Sequence, residues 1–324
     1  MTRVMMDEVE KAELREVSLN FRAMNTGIEL LIYTTEAEKA VQTVQQIEAL
    51  FATNEATLSR FRPESELSEL NHKGYLENAS ELLYRNVVAA RRMQALTGGI
   101  FDPTILDALE AAGYDRSFEM IAGRGPQLFA RNPLIHFSNQ RTGGEAWIEL
   151  DETRRSIRLA PGVRVDLGGI AKGTTVDQAA DLLRREGFDS FMVSAGGDMY
   201  LRGCPPQDSR GWNVLVEDPV RGNDATITSL QVANKAVATS STMGRRWQLG
   251  GQTRHHLIDP RTNQPADTGL ASVTVVAEAV QFADVMAKTA LILGPEKMAE
   301  STLMEKAQLS SIIFVTLEGK LIQL

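Results

Sequence analysis

Between residues 37 and 51, apolar side chains fall at Ala37, Val41, Val44, Ile47, Leu50 and Phe51. Steps of three and four predict an amphipathic helix with one buried stripe. Thr35 and Glu38 stand three apart at its start, the spacing of a capping box. Ahead of it, VSLNFRAMNTGIELLIY (17–33) predicts two short strands around a turn at Asn25-Thr26-Gly27. A second helical stripe, Leu83, Val87, Ala90 and Leu96, runs from about Ser80 until Gly98-Gly99 stops it. LSRFRPESELSELN (58–71), broken by Pro63, reads as a loop, and GGIFDPTILDALEAAGYDRSF (98–118) as a turn followed by a short helix.

Residues 120–145 are polar and irregular, and are the best candidate for a boundary or a surface excursion. The expected organisation is one domain over 1–324 with lobes of roughly 15–145 and 146–324. Beyond the boundary, strands are expected at Ala146–Leu150 and Ser156–Leu159. RVDL, a glycine turn, a helix from Thr174 and the strand DSFMVSAGGDMYL then make a strand–helix–strand unit. WNVLVE and ATITSLQVA flank a turn, another strand lies near Ala236–Thr239, and ASVTVVA leads into the helix QFADVMAKTALILG. SSIIFVTLEGKLIQL closes the chain as a hairpin around Glu318-Gly319.

Composition narrows the function. A chain of 324 residues, 43% hydrophobic, can bury a substantial core without staples. A net charge of -8 argues against a nucleic-acid partner, which calls for a basic patch. One cysteine, Cys204, leaves no internal disulfide framework and no cysteine-built metal site. No apolar run reaches the length of a membrane span. The first twenty residues lack the apolar core of a signal peptide, so the expected location is cytoplasmic.

Four stretches carry candidate chemistry. VDLGGIAKGTTVD (165–177) sets glycines and Lys172 before a helix start, where free N–H groups and the helix dipole favour an anion. It reads equally as a tight turn with a solvated lysine. Thr174 with Asp177 makes a plausible cap. SAGGDMY (194–200) brings Asp198 near the same loop, either as a ligand for hydroxyls or a cation or as a turn residue. In HHLIDPRTNQP (255–265) adjacent histidines point to opposite faces, so one of them can face a site as a base or phosphate ligand; the plain alternative is a strand-edge histidine. In ADVMAKTALILG (283–294), Asp284 and Lys288 share a helix face as an i,i+4 pair. Thr289 lies about 140° round from Asp284.

Taken in order, LSRFRPESELSELN, GGIFDPT, VDLGGIAKG, SAGGD, VATSS, HHLIDPRTNQP and the closing AD-containing helix resemble the ApbE family of FAD:protein FMN transferases. The resemblance covers roughly residues 20 to 294. It implies an α+β fold with a mixed sheet and two lobes that hold FAD between them. It implies cleavage of the FAD pyrophosphate, transfer of FMN to a threonine of an acceptor protein, release of AMP and assistance by magnesium. By motif, Met24 would lie near the adenine and Phe61 would pack on FAD. Ile100, Phe101 and Asp102 would line the flavin pocket. Asp166, Lys172, Asp198 and His256 would contact the dinucleotide, with His256, Lys172 and Asp284 catalytic. The metal would be held by the Gly169 carbonyl, Asp284 and a hydroxyl one helical turn later.

The chain departs from the family at that last ligand. The pattern A-D-x-x-x-T has Lys288 where the threonine belongs. An ammonium cannot ligate a cation but can replace one, so Lys288 is expected in or near the metal position, paired with Asp284, with weak or absent magnesium dependence. Asn25 replaces a frequent glycine, and LEAAGYDRSF replaces a tryptophan-rich stretch. Two other functions stay open: a non-catalytic FAD-binding protein, and an FAD pyrophosphatase giving FMN and AMP.

Overall fold

Short apolar runs separated by turns assemble into an eight-stranded sheet in a computed structural model that describes residues 14–122, 147–222 and 225–324. Across it the strands are Arg15–Ala23, Thr26–Thr34, Phe191–Ala195, Asp198–Arg202, Lys235–Ser241, Leu270–Ala277, Ser311–Thr316 and Leu321–Gln323. All neighbours are antiparallel. The α+β class is the expected one, but this sheet is antiparallel throughout rather than mixed. The reason lies at Arg164–Leu167, which joins no ladder and so makes no strand–helix–strand unit. Side chains and a loop satisfy its backbone instead. Val165 N donates to Asn71 Oδ1 at 2.7 Å, Asn71 Nδ2 to the Val165 carbonyl at 2.8 Å, and Asp166 N to the Pro103 carbonyl at 2.8 Å.

Three helices, Ala37–Leu58, Ala171–Arg185 and Val280–Leu293, lie on one face of the sheet. Their stripes bury Phe51, Val176 and Met286 against Ile28, Phe191 and Val273. The ribbon of Trp212–Glu217 and Thr226–Val232 covers the other face, setting Trp212 and Val214 on Leu201 and Val237. Strand Leu270–Ala277 is therefore buried at every position, which is why it reads as a continuous apolar run. Each fully buried aliphatic or aromatic side chain here contributes about 1.5–3 kcal/mol.

The 58–71 segment is only half loop. Ser65 accepts from Ser68 N at 3.0 Å and caps a helix, Glu66–Lys73, that buries Leu67 and Leu70. This helix, Glu81–Leu96 and a three-stranded sheet (Tyr75–Leu76, Ser156–Leu159, Ile148–Asp151) form a second layer. The first helix lacks the Thr35–Glu38 box: no side chain caps it, and Glu36 N instead donates to Thr34 Oγ1 at 2.9 Å. It runs past Phe51 to Leu58 because Asn54 continues the buried stripe as a polar member. Asn54 Nδ2 donates to Thr175 Oγ1 at 2.8 Å and Gln178 Oε1 at 2.7 Å, so its burial is compensated. The first hairpin turns at Met24-Asn25, both with positive φ (52° and 59°), which moves Thr26 and Gly27 into the strand.

The helices Ala171–Arg185 and Val280–Leu293 touch backbone to backbone. A Cβ at Gly173 would stand 2.8 Å from Gln281 Cα and 2.9 Å from the Val280 carbonyl oxygen. Asp177 does not cap its own helix, which starts at Ala171 without a side-chain cap. Its carboxylate accepts from Val280 N at 2.8 Å and Gln281 N at 2.9 Å, and so caps the neighbouring helix. Two substitutions test this junction by urea unfolding. Gly173→Ala is expected to cost roughly 1–3 kcal/mol through the clash, and Asp177→Ala roughly 1–2 kcal/mol through the lost cap.

The expected boundary at 120–145 lies mostly outside the described residues, as does Ala146 at the start of an expected strand. Pairing crosses the division in sequence: Thr26–Thr34 pairs with Phe191–Ala195, and Tyr75–Leu76 with Ser156–Leu159. The two layers thus each draw on both halves of the chain. No described helix is long and apolar enough to cross a membrane.

Candidate active site

The layers meet around a cavity of about 340 Å³. Lys172 reaches it from the first turn of the helix Ala171–Arg185. Asp198 enters from the hairpin turn at Gly196-Gly197. Gly196 has φ +63°, and a Cβ there would fall 2.1 Å from Thr26 Oγ1, so only glycine lets the two turns close on each other. Asp284 and Lys288 project from successive turns of the helix Val280–Leu293. Thr289 does not join them: it is fully buried, with Oγ1 bonded to the Val285 carbonyl at 2.9 Å.

These four side chains form one charged cluster. Lys172 Nζ bonds the Asp198 carboxylate and lies 3.6 Å from Asp284 Oδ2. Lys288 Nζ bonds Asp284 Oδ1. Asp198 Oδ1 also accepts from Thr239 N at 3.3 Å. Burial opposes a charge on Lys172, but the carboxylates of Asp198 and Asp284 outweigh it and raise its pKa. Burial likewise opposes the Asp284 carboxylate, and the two ammonium groups overcome it, so this acid is held below its ordinary range. Asp198 goes the other way, raised by burial and by the like charge of Asp284 against the pull of Lys172.

The walls are aromatic and cationic. Phe61 meets Tyr114 edge-on at 5.8 Å, and Tyr114 stacks on Trp247 at 5.6 Å. The Arg60 guanidinium lies 4.1 Å from the Phe61 ring centre, and its Nε is 3.2 Å from Asp166 Oδ1. Ile100, Phe101 and Asp102 form another wall. Asp102 Oδ1 is fixed by Gln94 Nε2 at 2.7 Å and Thr104 N at 2.8 Å. Gly169 sits tightly here, its Cβ position 3.1 Å from Phe101 Cε2 and 3.5 Å from Lys288 Cε. Met24 and Asn25 reach the cavity from the strained hairpin turn, where Met24 N donates to Glu55 Oε2 at 2.9 Å.

The histidines part where the strand Gln252–His255 ends, with His256 in the bend just beyond it rather than in the strand. His255 turns away, with Nε2 3.0 Å from the Ala266 carbonyl oxygen. His256 lines the cavity, and its buried Nδ1 has no hydrogen-bond partner among the described residues. Burial, followed by the positive charges of Arg245 and Lys288, holds its pKa well below the usual imidazole range. The ring is therefore neutral.

Every residue that the resemblance assigns to the site thus borders this one cavity. Sequence reasoning missed Arg60, Tyr114 and Arg245, which border it as well. Arg60 adjoins Phe61 in the chain, and Arg245 follows the VATSS stretch. Tyr114 belongs to LEAAGYDRSF, which keeps two rings, Tyr114 and Phe118, in place of the tryptophan-rich stretch.

The expected magnesium ligands do not fit a divalent ion. Among the described residues no group of three His, Cys, Asp or Glu side chains converges on a metal position. Asp284 Oδ2 is buried without a hydrogen bond, the one opening for a ligand. However, Lys172 stands 3.6 Å from it, Lys288 occupies the other oxygen, and the Lys288 stem packs on Gly169. An ammonium offers no lone pair, and magnesium demands about six oxygens in a near-octahedral shell.

The fold and the chain both have relatives. A structure of the ApbE protein from Thermotoga maritima superposes with a TM-score of 0.81 at 24% identity, covering 95% of this chain and 97% of that one. The flavin transferase ApbE from Vibrio cholerae superposes at 0.75 and 23%, covering 96% and 97%. These likenesses establish the fold. In sequence, proteins named FAD:protein FMN transferase match from Klebsiella pneumoniae (26% identical, 86% of this chain, 79% of that protein) and Escherichia coli K12 (24%, 95% and 87%). Another from Haemophilus influenzae is 27% identical over 89% of this chain and 84% of that one. The model of the ApbE family matches residues 24–313, and with the fold and the cavity in agreement, the chain belongs to the ApbE family.

Proposed function

We propose that this protein is an FAD:protein FMN transferase that cleaves the FAD pyrophosphate, attaches FMN to a threonine of an acceptor protein and releases AMP. The observation that carries the reading is the neutral His256 lining the same cavity as the Lys172–Lys288 cluster. In this reading the ring system of FAD packs between the Phe61–Tyr114 wall and Ile100–Phe101. Asp102 and Asp166, each held by neighbours, accept from its hydroxyl and ring N–H groups. The pyrophosphate faces Lys172, where positive charge matches what develops on the departing phosphate. The threonine hydroxyl attacks the phosphorus on the FMN side as His256 takes its proton, and the anhydride bond breaks toward AMP. The enzyme forms no covalent bond; orientation and charge lower the barrier.

The test is release of AMP from FAD by the purified protein, with and without an acceptor protein. Release that depends on the acceptor supports the transferase. Equal release without acceptor means a pyrophosphatase, and FAD retained without turnover means a binding protein.

A further inference from the structure

We infer that Lys288 is a built-in cation: its ammonium takes the place of a divalent ion at Asp284, so that FMN transfer proceeds without a metal. The inference rests on the transferase reading for the reaction and on the geometry of the cluster for the site. Without Lys288, the floor of the cavity would hold two carboxyl groups, Asp198 and Asp284, against the single ammonium of Lys172. When both acids are ionised that is a net negative floor, and it would repel the pyrophosphate unless a bound cation corrected it. Lys288 supplies the missing positive charge at the same carboxylate, with its Cε and Cδ 3.5 and 3.6 Å from the Cβ position of Gly169. The ammonium is thereby confined between the helix and the glycine loop. A divalent ion at Asp284, which is 2% exposed, would have to expel that ammonium and then tolerate it close by in a buried space.

Lysine also changes how the charge is delivered. A four-carbon stem with three donors can swing from Asp284 to a phosphate oxygen and back. The closed pair is then the resting state, and the substrate phosphate competes with Asp284 for the ammonium. The cation is present at any magnesium concentration and cannot be removed by a chelator.

The experiment compares the wild-type chain with Lys288→Thr and Lys288→Met, all with FAD present. Binding of Mn2+ is followed by electron paramagnetic resonance, and AMP release in the presence of acceptor is followed in EDTA and in magnesium. The wild type is expected to bind no stoichiometric Mn2+ and to turn over equally in both media. Lys288→Thr is expected to gain one equivalent of Mn2+, to fall on the order of 10²-fold in EDTA and to recover with magnesium. Lys288→Met, which keeps the stem without its charge, is expected to lose turnover in both media while its melting curve shows a folded protein. Stoichiometric Mn2+ on the wild type that Asp284→Asn abolishes, or turnover that EDTA stops and magnesium restores, would overturn the inference, as would a Lys288→Thr variant that gains no Mn2+. If no variant turns FAD over, the transferase reading has failed, and the Mn2+ titration alone still decides whether Lys288 holds the metal position.

Discussion

His256→Ala is expected to slow FMN transfer by roughly 10²- to 10⁴-fold, the usual contribution of a positioned general base, while FAD affinity stays near that of the wild type. The neutral imidazole makes no hydrogen bond through Nδ1 among the described residues, and its ring meets Tyr114 only in a tilted contact at 6.2 Å. Its removal therefore takes away a proton acceptor and leaves the Phe61–Tyr114–Trp247 stack in place. Rates of AMP release at saturating FAD, set beside affinities from flavin fluorescence, separate the two effects. A loss in affinity that accounts for the whole loss in rate would make His256 a binding residue instead. The acid limb follows from the same environment. Because the pKa of His256 is held well below 6.5, the base form persists as pH falls through the ordinary histidine range. The wild-type rate should then show no limb near 6.5 attributable to this residue.

Asp284→Ala should be the most damaging substitution to the fold, costing about 3–5 kcal/mol, because it strands the Lys288 ammonium and leaves Asp198 as the one carboxylate beside two ammonium groups. Lys172 and Lys288 both face Asp284, which is almost wholly buried. Urea unfolding measures the loss, and turnover should vanish with it. Asp284→Asn, which keeps the shape and one acceptor oxygen, should lose less stability. The sign with pH is fixed by the direction of the shift. The folded-state pKa lies below the ordinary value of 3.8, so the stabilisation is present above that value and is lost as pH falls through the folded-state pKa. A variant as stable as the wild type at neutral pH would show that the cluster contributes nothing net.

Local pattern made some of this legible and not the rest. The stripe Leu83, Val87 and Ala90 is buried as its spacing requires, and Ser80 caps that helix. Asp284 and Lys288 share a helix face by period alone, and the pairing follows. His255 and His256 do diverge, but the strand ends at His255 and His256 lies in the bend beyond it, so strand alternation is not the cause. What failed depended on partners far away in sequence. Val165 looks like a strand residue until Asn71, ninety-four positions earlier, supplies both of its backbone bonds. Asp177 resembles a local cap, yet its carboxylate serves amides more than a hundred residues on. Arg60 carries no pattern of its own, and only the fold sets it over Phe61 and against Asp166. The site motifs were readable because each lies on one turn or one helix face, whereas the cavity they share exists only after the layers pack.

The most direct measurement is the mass of an acceptor protein after incubation with this protein and FAD. The account predicts a gain the size of FMN, located on a threonine, together with an equivalent amount of AMP, and loss of both with His256→Ala. An acceptor of unchanged mass, while FAD is either consumed to free FMN or held intact, would contradict it.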